Sequence, residues 1–228
     1  MLSIIIPVLN EASCIAGLIE HLSETRSTDL VSEIIVVDGG STDGTLKLLE
    51  TLPVSVVLSK KGRARQMNAG AKAAKGDTLY FLHADTLPPK DFDIKIREAI
   101  AAGFETGCFR MRFDTQNVFL RFFGWMTRIN HTLCRGGDQS LFIKKEVFFE
   151  EGGFNEAYMI YEDTEFITRL YRRGHFRILP DHVITSARKY REKGSFNVQF
   201  HFAVIHLKNF LGASPEALYA YYQKKILA

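Results

Sequence analysis

The sequence LYFLHADT at residues 79–86 decides the fold class of this chain. Its first four residues form an apolar and aromatic run, too short and too rich in β-formers for a helix, which predicts a buried strand. An open α/β sheet binds its ligand at the carboxyl ends of its parallel strands. His83 and Asp85 follow the strand at that position, so we predict a ligand site there. The alternative is that Asp85 only caps the helix that follows.

Composition sets the broad class of the protein. The chain has 228 residues, 46% of them hydrophobic, which suits one α/β domain with a small appendage. Its 29 basic and 26 acidic residues are mixed along the chain, without the basic arm typical of nucleic-acid-binding proteins. We therefore expect no nucleic-acid partner. No apolar run approaches the ~20 residues of a transmembrane helix, and the first residues lack the charged start of a signal peptide.

The cysteines indicate a reducing compartment. Cys14, Cys108 and Cys134 are widely spaced and odd in number, and they lack the spacing of a structural zinc site. Free thiols are typical of a cytosolic protein. We therefore expect a cytoplasmic protein.

Strands and helices alternate along the first half of the chain. β-branched and apolar runs predict strands at residues 3–8, 33–37, 54–58 and 79–82. Between these strands, apolar residues recur at helical spacing and predict helices at 12–22, from 46 onward, and at 64–74. This alternation predicts a Rossmann-like, mostly parallel sheet with helices on both faces.

The second half of the chain is less regular. Helices are predicted at residues 91–102, 118–133, from 162 onward, 196–211 and 215–227, and short strands at 108–113, 140–143, 178–179 and 183–184. We predict one domain over 1–228. Its parts are a nucleotide-binding half at 1–104, an acceptor and catalytic half at 105–191, and C-terminal helices at 192–228.

Asp38 ends the second predicted strand and opens the glycine-rich sequence DGGSTDG. A carboxylate there can accept a hydrogen bond from a ribose hydroxyl or a base N–H. Gly39 and Gly40 allow the backbone to approach a ligand closely, although the same sequence also suits a simple turn. The chain contains neither GxGxxG nor GxxxxGK[ST], which argues against dinucleotide binding and against a P-loop.

Later segments carry further charged candidates. Arg63 and Arg65 begin a predicted helix, where the helix dipole disfavours cations, so either an anionic ligand or acidic partners are expected beside them. Glu162 and Asp163 lie in the first turn of another helix, where acids cap the helix or one of them serves as a general base. Arg188 belongs to a basic cluster that either neutralises a diphosphate or is a solvated loop.

Taken together, these segments resemble the family-2 glycosyltransferases of the GT-A fold. The resemblance runs from residue 3 to about 191, and its specificity lies in the combination and order of the motifs rather than in any one of them. FLHADT is typical of a small soluble bacterial subgroup. The matching motifs are IIIPVLNE (4–11), VVDGGSTDGT (36–45), GRARQMNAG (62–70), FLHADT (81–86), FIKKEVFFEEGGFNE (142–156) and YEDTEFITRLYRRG (161–174).

The resemblance implies roles for individual residues. Asp85 matches the last Asp of the DxD motif, which holds the metal and the diphosphate. Asp163, with Glu162 beside it, matches the ED motif, whose Asp is the general base of inverting members. The residues expected at the nucleotide are Pro7, Leu9, Glu11, Asp38, Gly40, Arg63, Arg65, His83 and Arg188.

The chain departs from the family at the metal motif, because His83 replaces the first Asp of DxD. Imidazole is a softer ligand than carboxylate, which shifts the expected cofactor from Mg²⁺ toward Mn²⁺. His83 is therefore either a second metal ligand beside Asp85 or only a hydrogen-bonding partner of the donor.

The implied reaction transfers a sugar, of hexosyl type, from a nucleotide-diphosphate sugar to an acceptor hydroxyl with inversion. One alternative is a nucleotidyltransferase acting on a sugar phosphate. That class usually has a glycine-rich basic loop after its first strand, where this chain has Leu9-Asn10-Glu11. The other alternative is a non-catalytic nucleotide-sugar-binding protein.

Acceptor choice is expected in residues 105–160 and in the C-terminal helices. An aromatic and basic segment there includes Phe122, Trp125, Arg121 and Arg128. It suits either a core helix or homodimer contact, or an interfacial helix that meets a lipid-linked acceptor. The second alternative would make the protein peripheral at a membrane.

Overall fold

A computed structural model describes residues 1–27 and 30–227 of the chain. Within these residues the strands form one eight-stranded sheet. The strands are β1 Leu2–Val8, β2 Val31–Asp38, β3 Ser55–Leu58, β4 Thr78–Phe81, β5 Thr86–Leu87, β6 Thr106–Phe113, β7 Leu141–Lys144 and β8 Phe176–Thr185.

The order of the strands is β3-β2-β1-β4-β7-β6-β8-β5. Parallel pairs join β1 to β2 and β4, β2 to β3, and β6 to β8. β7 runs antiparallel between β4 and β6, so the sheet continues without a break from the first half of the chain into the second. The predicted α/β fold with a mostly parallel sheet is confirmed.

Helices cover both faces of this sheet, as its sequence alternation predicts. The helices are α1 Ile15–Thr25, α2 Thr45–Leu49, α3 Arg63–Ala73, α4 Phe92–Ala101, α5 Val118–Met126, α6 Lys145–Glu150, α7 Glu162–Arg173, α8 Arg188–Lys193, α9 Ser195–Phe210 and α10 Pro215–Tyr222. Ile4 and Ile6 of β1 belong to a core with residues of α1 and α4. Ile5 points the other way, into a core with residues of α3, α6 and α7, because successive side chains of a strand alternate between faces.

Three predicted elements, two strand pieces and one helix, differ from the structure. The strand pieces predicted at 178–179 and 183–184 form one strand, because a register shift opposite Phe109 and Arg110 accommodates Pro180 and Asp181. The helix predicted at 118–133 ends at Met126. Thr127 stops it, since its hydroxyl donates to Gly124 O at 2.7 Å and accepts from the Met111 N–H at 3.0 Å.

The C-terminal helices pack beside the start of α7. Ile205 of α9 and Leu218 and Tyr222 of α10 form a small core with Ile160, which precedes that helix, and Ile226 of a terminal π-helical turn. This core fixes the chain that leads into Glu162 and Asp163. Among the described residues, no helix combines the length and the apolarity that a membrane crossing requires.

Candidate active site

The carboxyl ends of β1 and β2 build one part of the site. Val8 lies in register with Asp38, and Gly39 N donates to Val8 O at 3.0 Å. The Asp38 carboxylate accepts from the N–H groups of Gly40, at 2.8 Å, and Ser41, at 3.0 Å. Gly40 has a φ of 96°, a conformation that L side chains rarely adopt. Asp38 therefore fixes the glycine-rich turn, and its role toward a nucleoside stays a prediction.

Gln66 of α3 is a buried part of this site that sequence reasoning missed. Its side-chain amide donates to Val8 O and to Val37 O, both at 2.8 Å, and thereby ties the ends of β1 and β2 together. A Cβ at Gly39 would lie 2.9 Å from the Gln66 side chain, so a larger residue there would have to displace the Gln66 amide from these hydrogen bonds. A glutamine on a polar helix gives no sequence signal for such a role, because it is usually exposed there.

Glu11 and Arg188 meet although they belong to opposite ends of the chain. Arg188, the first residue of α8, places Nη2 3.6 Å from Oε2 of Glu11. Pro7 is buried and Leu9 is half-buried just before Glu11. The structure therefore brings the first and last predicted site segments together at the end of β1.

Arg63 is the centre of a charged cluster at the start of α3. Its Nε lies 3.1 Å from Oε1 of Glu162, and its Nη1 lies 4.0 Å from Oδ2 of Asp163 and 3.4 Å from Nδ1 of His83. The acidic partners that the sequence left as an alternative for Arg63 are thus Glu162 and Asp163. Glu162 is completely buried against Arg63, and its catalytic role stays a prediction.

Asp163 and Asp85 line the same cleft, which has a volume of about 480 Å³. The charged side chains of this cleft include Arg63, Asp85, Asp138, Asp163, Arg188 and Lys189. Its apolar and aromatic walls include Met111, Phe113, Phe123, Met126, Ile160, Tyr161, Tyr190, Phe202, Ile205, Tyr222 and Ile226. Asp138, which follows Gly136 and Gly137, also lines the cleft and was not among the site residues predicted from the sequence.

The surroundings of Asp163 raise the proton affinity of its carboxylate. Burial and the neighbouring Glu162 carboxylate raise its pKa, and the Arg63 guanidinium opposes that shift. Tyr161, directly before α7, adopts a left-handed φ of 72°, which is uncommon for a tyrosine. This turn lets Glu162 point into the core while Asp163 lines the cleft.

The carboxylate of Asp85 and its acidic surroundings suit a divalent cation that is also coordinated by a bound diphosphate. Burial and the carboxylates of Asp138 and Glu11 raise the pKa of Asp85 to about 6, so positive charge is favoured beside it. Among residues 1–27 and 30–227 there is no cluster of three acidic, His or Cys side chains that would hold a metal alone. A metal at Asp85 would therefore take most of its ligands from a bound diphosphate and water.

His83 is a neutral imidazole just beyond β4, and its role as a metal ligand stays a prediction. Burial and the Arg63 guanidinium lower the pKa of His83, so the ring is neutral and its contact with Asp138, at 3.7 Å, is not an ion pair at neutral pH. Because the guanidinium only donates, Nδ1 is the acceptor of the Arg63 contact. That contact leaves Nε2 as the nitrogen for any other partner.

Arg65 stands apart from this cluster. Its Nε lies 3.8 Å from Oε2 of Glu156, and both side chains are more than two-fifths exposed. It does not line the cleft that contains Asp85 and Asp163. Its contact with a nucleotide stays a prediction.

Comparison with known proteins gives the same family as the motifs. The sequence profile described as "Glycosyl transferase family 2" matches residues 3–179. A protein of Haemophilus influenzae named an uncharacterized glycosyltransferase is 28% identical over 77% of this chain and 64% of its own length. The succinoglycan biosynthesis protein ExoA of Rhizobium meliloti is 27% identical over 75% of this chain and 58% of its own length. The chain thus spans about three-fifths of these relatives.

Solved structures share the fold. The mannosyltransferase PcManGT from Pyrobaculum calidifontis, in complex with GDP-Man and Mn²⁺, matches 99% of this chain and 68% of its own, with a TM-score of 0.68 and 20% identity. Residues 1–349 of TarS from S. aureus, in complex with UDP, match 81% of this chain and 60% of that one, with a TM-score of 0.66 and 20% identity. These similarities confirm the predicted GT-A type of fold. With the profile match over residues 3–179, they lead to one conclusion: the chain belongs to glycosyl transferase family 2.

Proposed function

We propose that this protein is an inverting glycosyltransferase that moves a sugar from a nucleotide-diphosphate sugar to an acceptor hydroxyl. The observation that carries the proposal is that one cleft contains both Asp163, from the start of α7, and Asp85, from the connection between β4 and β5. A basic carboxylate and a cation-binding carboxylate in one cleft are the two groups that such a transfer needs. Family membership and the nucleotide complexes of the structural neighbours support the donor class.

In this proposal Asp163 acts on the acceptor. Its carboxylate takes the hydroxyl proton while the hydroxyl oxygen forms a bond to the anomeric carbon, on the face opposite the diphosphate. The bond from that carbon to the diphosphate oxygen breaks, and its electron pair leaves with the nucleoside diphosphate. Arg188, with Arg63 near Asp163, stabilises the departing charge. A divalent metal at Asp85, when bound, supplies further charge neutralisation.

The proposed base makes turnover dependent on pH. Only the ionised carboxylate accepts a proton, and the pKa of Asp163 is raised above its ordinary value of 3.8. We expect kcat to fall, as the pH decreases, at a pH well above that ordinary value. A kcat profile measured with a saturating donor tests this. The residual activity of Asp163→Asn should not show this decrease of kcat at acidic pH. A wild-type kcat that stays constant down to the pKa of an ordinary carboxyl group would contradict the role of Asp163 as the base.

A second prediction concerns the binding of a divalent metal at Asp85 and can be tested without turnover. We expect the metal and the nucleoside diphosphate to reinforce each other's binding, with Mn²⁺ preferred over Mg²⁺. Calorimetric titration of UDP or GDP with Mn²⁺, with Mg²⁺ and with a chelator measures this. Asp85→Ala should abolish the metal-dependent part of the affinity, whereas His83→Ala should weaken it and reduce the preference for Mn²⁺. Equal affinity under all three conditions would show a metal-independent site.

The donor and the reaction are tested in sequence. A thermal-shift screen of nucleotide sugars identifies the donor, because a ligand that binds only the folded protein raises its melting temperature. Product analysis then distinguishes three activities. Release of a nucleoside diphosphate supports glycosyl transfer, and release of pyrophosphate from a nucleoside triphosphate would identify a nucleotidyltransferase. A donor that binds without transfer or hydrolysis would identify a nucleotide-sugar-binding protein.

The acceptor side of the proposal rests on the cleft walls. Phe123 and Met126 of α5 and Phe202 and Ile205 of α9 bring apolar surface into the cleft that contains Asp163. These residues come from the stretches 105–160 and 192–228, where acceptor choice is expected. An acceptor with an apolar portion, such as a lipid-linked sugar or alcohol, suits these walls. Hexosyl specificity, a homodimer and a cytoplasmic location stay predictions.

A further inference from the structure

The exposed surface of α5 and α9 has the opposite polarity to that of an ordinary surface helix. On α9, Phe196, Phe200, Ala203, Leu207 and Phe210 are all exposed. At 100° per residue they fall within an arc of about 80° on one side of the helix. A surface helix normally turns such an apolar stripe toward the core. Here the core side of α9 is a different set of residues, which includes Val198 and Ile205.

α5 continues the same exposed surface. Phe122 and Trp125 are 54% and 52% exposed, and the buried side of the helix is formed by Leu120 and Gly124. The aromatic rings of the two helices are linked by centroid distances of 5.0–6.4 Å, in the order Trp125, Phe122, Phe123, Phe119, Phe196 and Phe200. We call the exposed apolar residues of α5 and α9 the aromatic strip. Contiguous exposed apolar surface of this kind marks an interaction site.

The charge around the strip selects the kind of partner. Residues 115–137 and 193–215 contain no Asp or Glu, whereas Arg121 and Arg128 are exposed on and just beyond α5. Lys208 lies on α9, with its ammonium 5.2 Å from the Tyr221 ring. The acids that bound these two stretches are Asp114, which pairs with Arg191 at 3.1 Å, Asp138, Glu192 and Glu216. The strip therefore fits an apolar partner with negative charge at its edge.

An anionic membrane interface is such a partner, and a second copy of this chain is not. A two-fold dimer through the strip would place the strip of one copy against the same strip of the other. It would bring arginines together without an acid from either strip to neutralise them. Tryptophan and phenylalanine beside basic residues are typical of surfaces that lie in the headgroup region of a bilayer.

We propose that the aromatic strip docks this protein on an anionic membrane, with α5 and α9 lying in the plane of the interface. Phe123 connects the strip with the cleft, since its ring contacts Phe119 and Phe122 while its side chain lines the cleft that also contains Asp163. Docking would thus bring the cleft next to the membrane. The docking itself does not depend on the proposed transfer reaction and is tested without substrates.

The single tryptophan of the chain is the probe. Because Trp125 is the only tryptophan, intrinsic fluorescence reports directly on the strip. We expect vesicles of phosphatidylcholine with phosphatidylglycerol to shift its emission to the blue at low salt, and brominated acyl chains to quench it. Pure phosphatidylcholine vesicles, and high salt, should weaken the effect because salt screens the attraction of arginine to anionic lipid.

Substitutions inside and outside the strip distinguish docking through the strip from nonspecific binding to vesicles. Phe122→Ser/Phe200→Ser keeps Trp125 and replaces only exposed side chains, so the protein should fold and its vesicle affinity should fall roughly tenfold or more. Leu58→Ser is the matched control, because Leu58 is 71% exposed on β3 and outside the strip. It should bind vesicles like the wild type. Co-sedimentation measures the affinities, and melting curves check the folding of each variant.

Three results would overturn the proposal. The first is a wild-type protein that neither shifts its fluorescence nor co-sediments with anionic vesicles at low salt. The second is an equal loss of vesicle binding in Leu58→Ser and in Phe122→Ser/Phe200→Ser. The third is a wild-type dimer in analytical ultracentrifugation that Phe122→Ser/Phe200→Ser converts to a monomer, which would make the strip a contact between copies.

Discussion

Asp163→Asn is expected to lower the turnover number by ~10²–10⁴-fold, the usual contribution of a positioned general base. The amide has nearly the size of the carboxylate but cannot accept the acceptor proton at neutral pH. Donor affinity should stay nearly unchanged, because the diphosphate is assigned to Asp85 and Arg188 rather than to Asp163. Steady-state kinetics with the identified donor, together with calorimetry of the nucleoside diphosphate, measures both quantities.

Stability provides the control for this variant. The pKa of Asp163 is higher in the folded protein than in the unfolded chain, so the unfolded state ionises more readily. At neutral pH this pKa difference lowers the free energy of unfolding. Replacing the Asp163 carboxyl group with a neutral amide removes that destabilising contribution. We therefore expect Asp163→Asn to melt no lower than the wild type while its activity falls. Wild-type turnover in Asp163→Asn would remove Asp163 from the role of base.

Arg63→Leu is expected to cause the largest loss of stability among the site variants. Glu162 is completely buried, and within the described residues neither of its carboxylate oxygens has a hydrogen-bond partner. The guanidinium of Arg63, at 3.1 Å, compensates this charge. Removing one partner of a buried pair costs about 3–5 kcal/mol, and we expect about 3 kcal/mol because the Arg63 side chain is 38% exposed.

Chemical denaturation and thermal melting measure this loss, which corresponds to a decrease in melting temperature of roughly 6–12 °C for a chain of this size. Arg65→Leu is the matched control on the same helix. Arg65 pairs with Glu156, and both of these side chains are more than two-fifths exposed. The free energy of unfolding of Arg65→Leu should therefore stay within about 0.5 kcal/mol of the wild-type value. The double variant Arg63→Leu/Glu162→Leu should recover part of the loss, since it leaves no buried charge without a partner. An Arg63→Leu protein as stable as Arg65→Leu would contradict the pairing.

Local sequence patterns were sufficient to predict the parallel strands of the first half of the chain and two candidate carboxylates, Asp85 and Asp163. Apolar runs of four to eight residues, separated by helical patterns, predicted the parallel strands around β1 and β4. Because ligands bind at the carboxyl ends of such strands, the position of Asp85 followed from the strand before it. The order of the motifs, rather than any single motif, predicted the family and pointed to Asp163.

The partners of individual side chains could not be predicted in this way. Arg63 and Arg65 are two residues apart with similar sequence surroundings, yet one pairs with buried Glu162 and the other with exposed Glu156. The position of α7 against α3 decides this difference. Gln66 likewise bridges two strand ends only because α3 lies across β1 and β2.

The sequence by itself thus determined the α/β class and the family, and it predicted Asp85 and Asp163 as site residues, because periodicity and strand-end position are local properties of the chain. Only the tertiary structure decided that β7 enters the sheet antiparallel, that Glu162 is buried while Asp163 lines the cleft, and that the aromatic face of α5 and α9 is exposed. An apolar stripe has the same period whether it faces a core or a membrane. The contacts of distant segments determine which side of a helix is covered, and those contacts exist only in the folded chain.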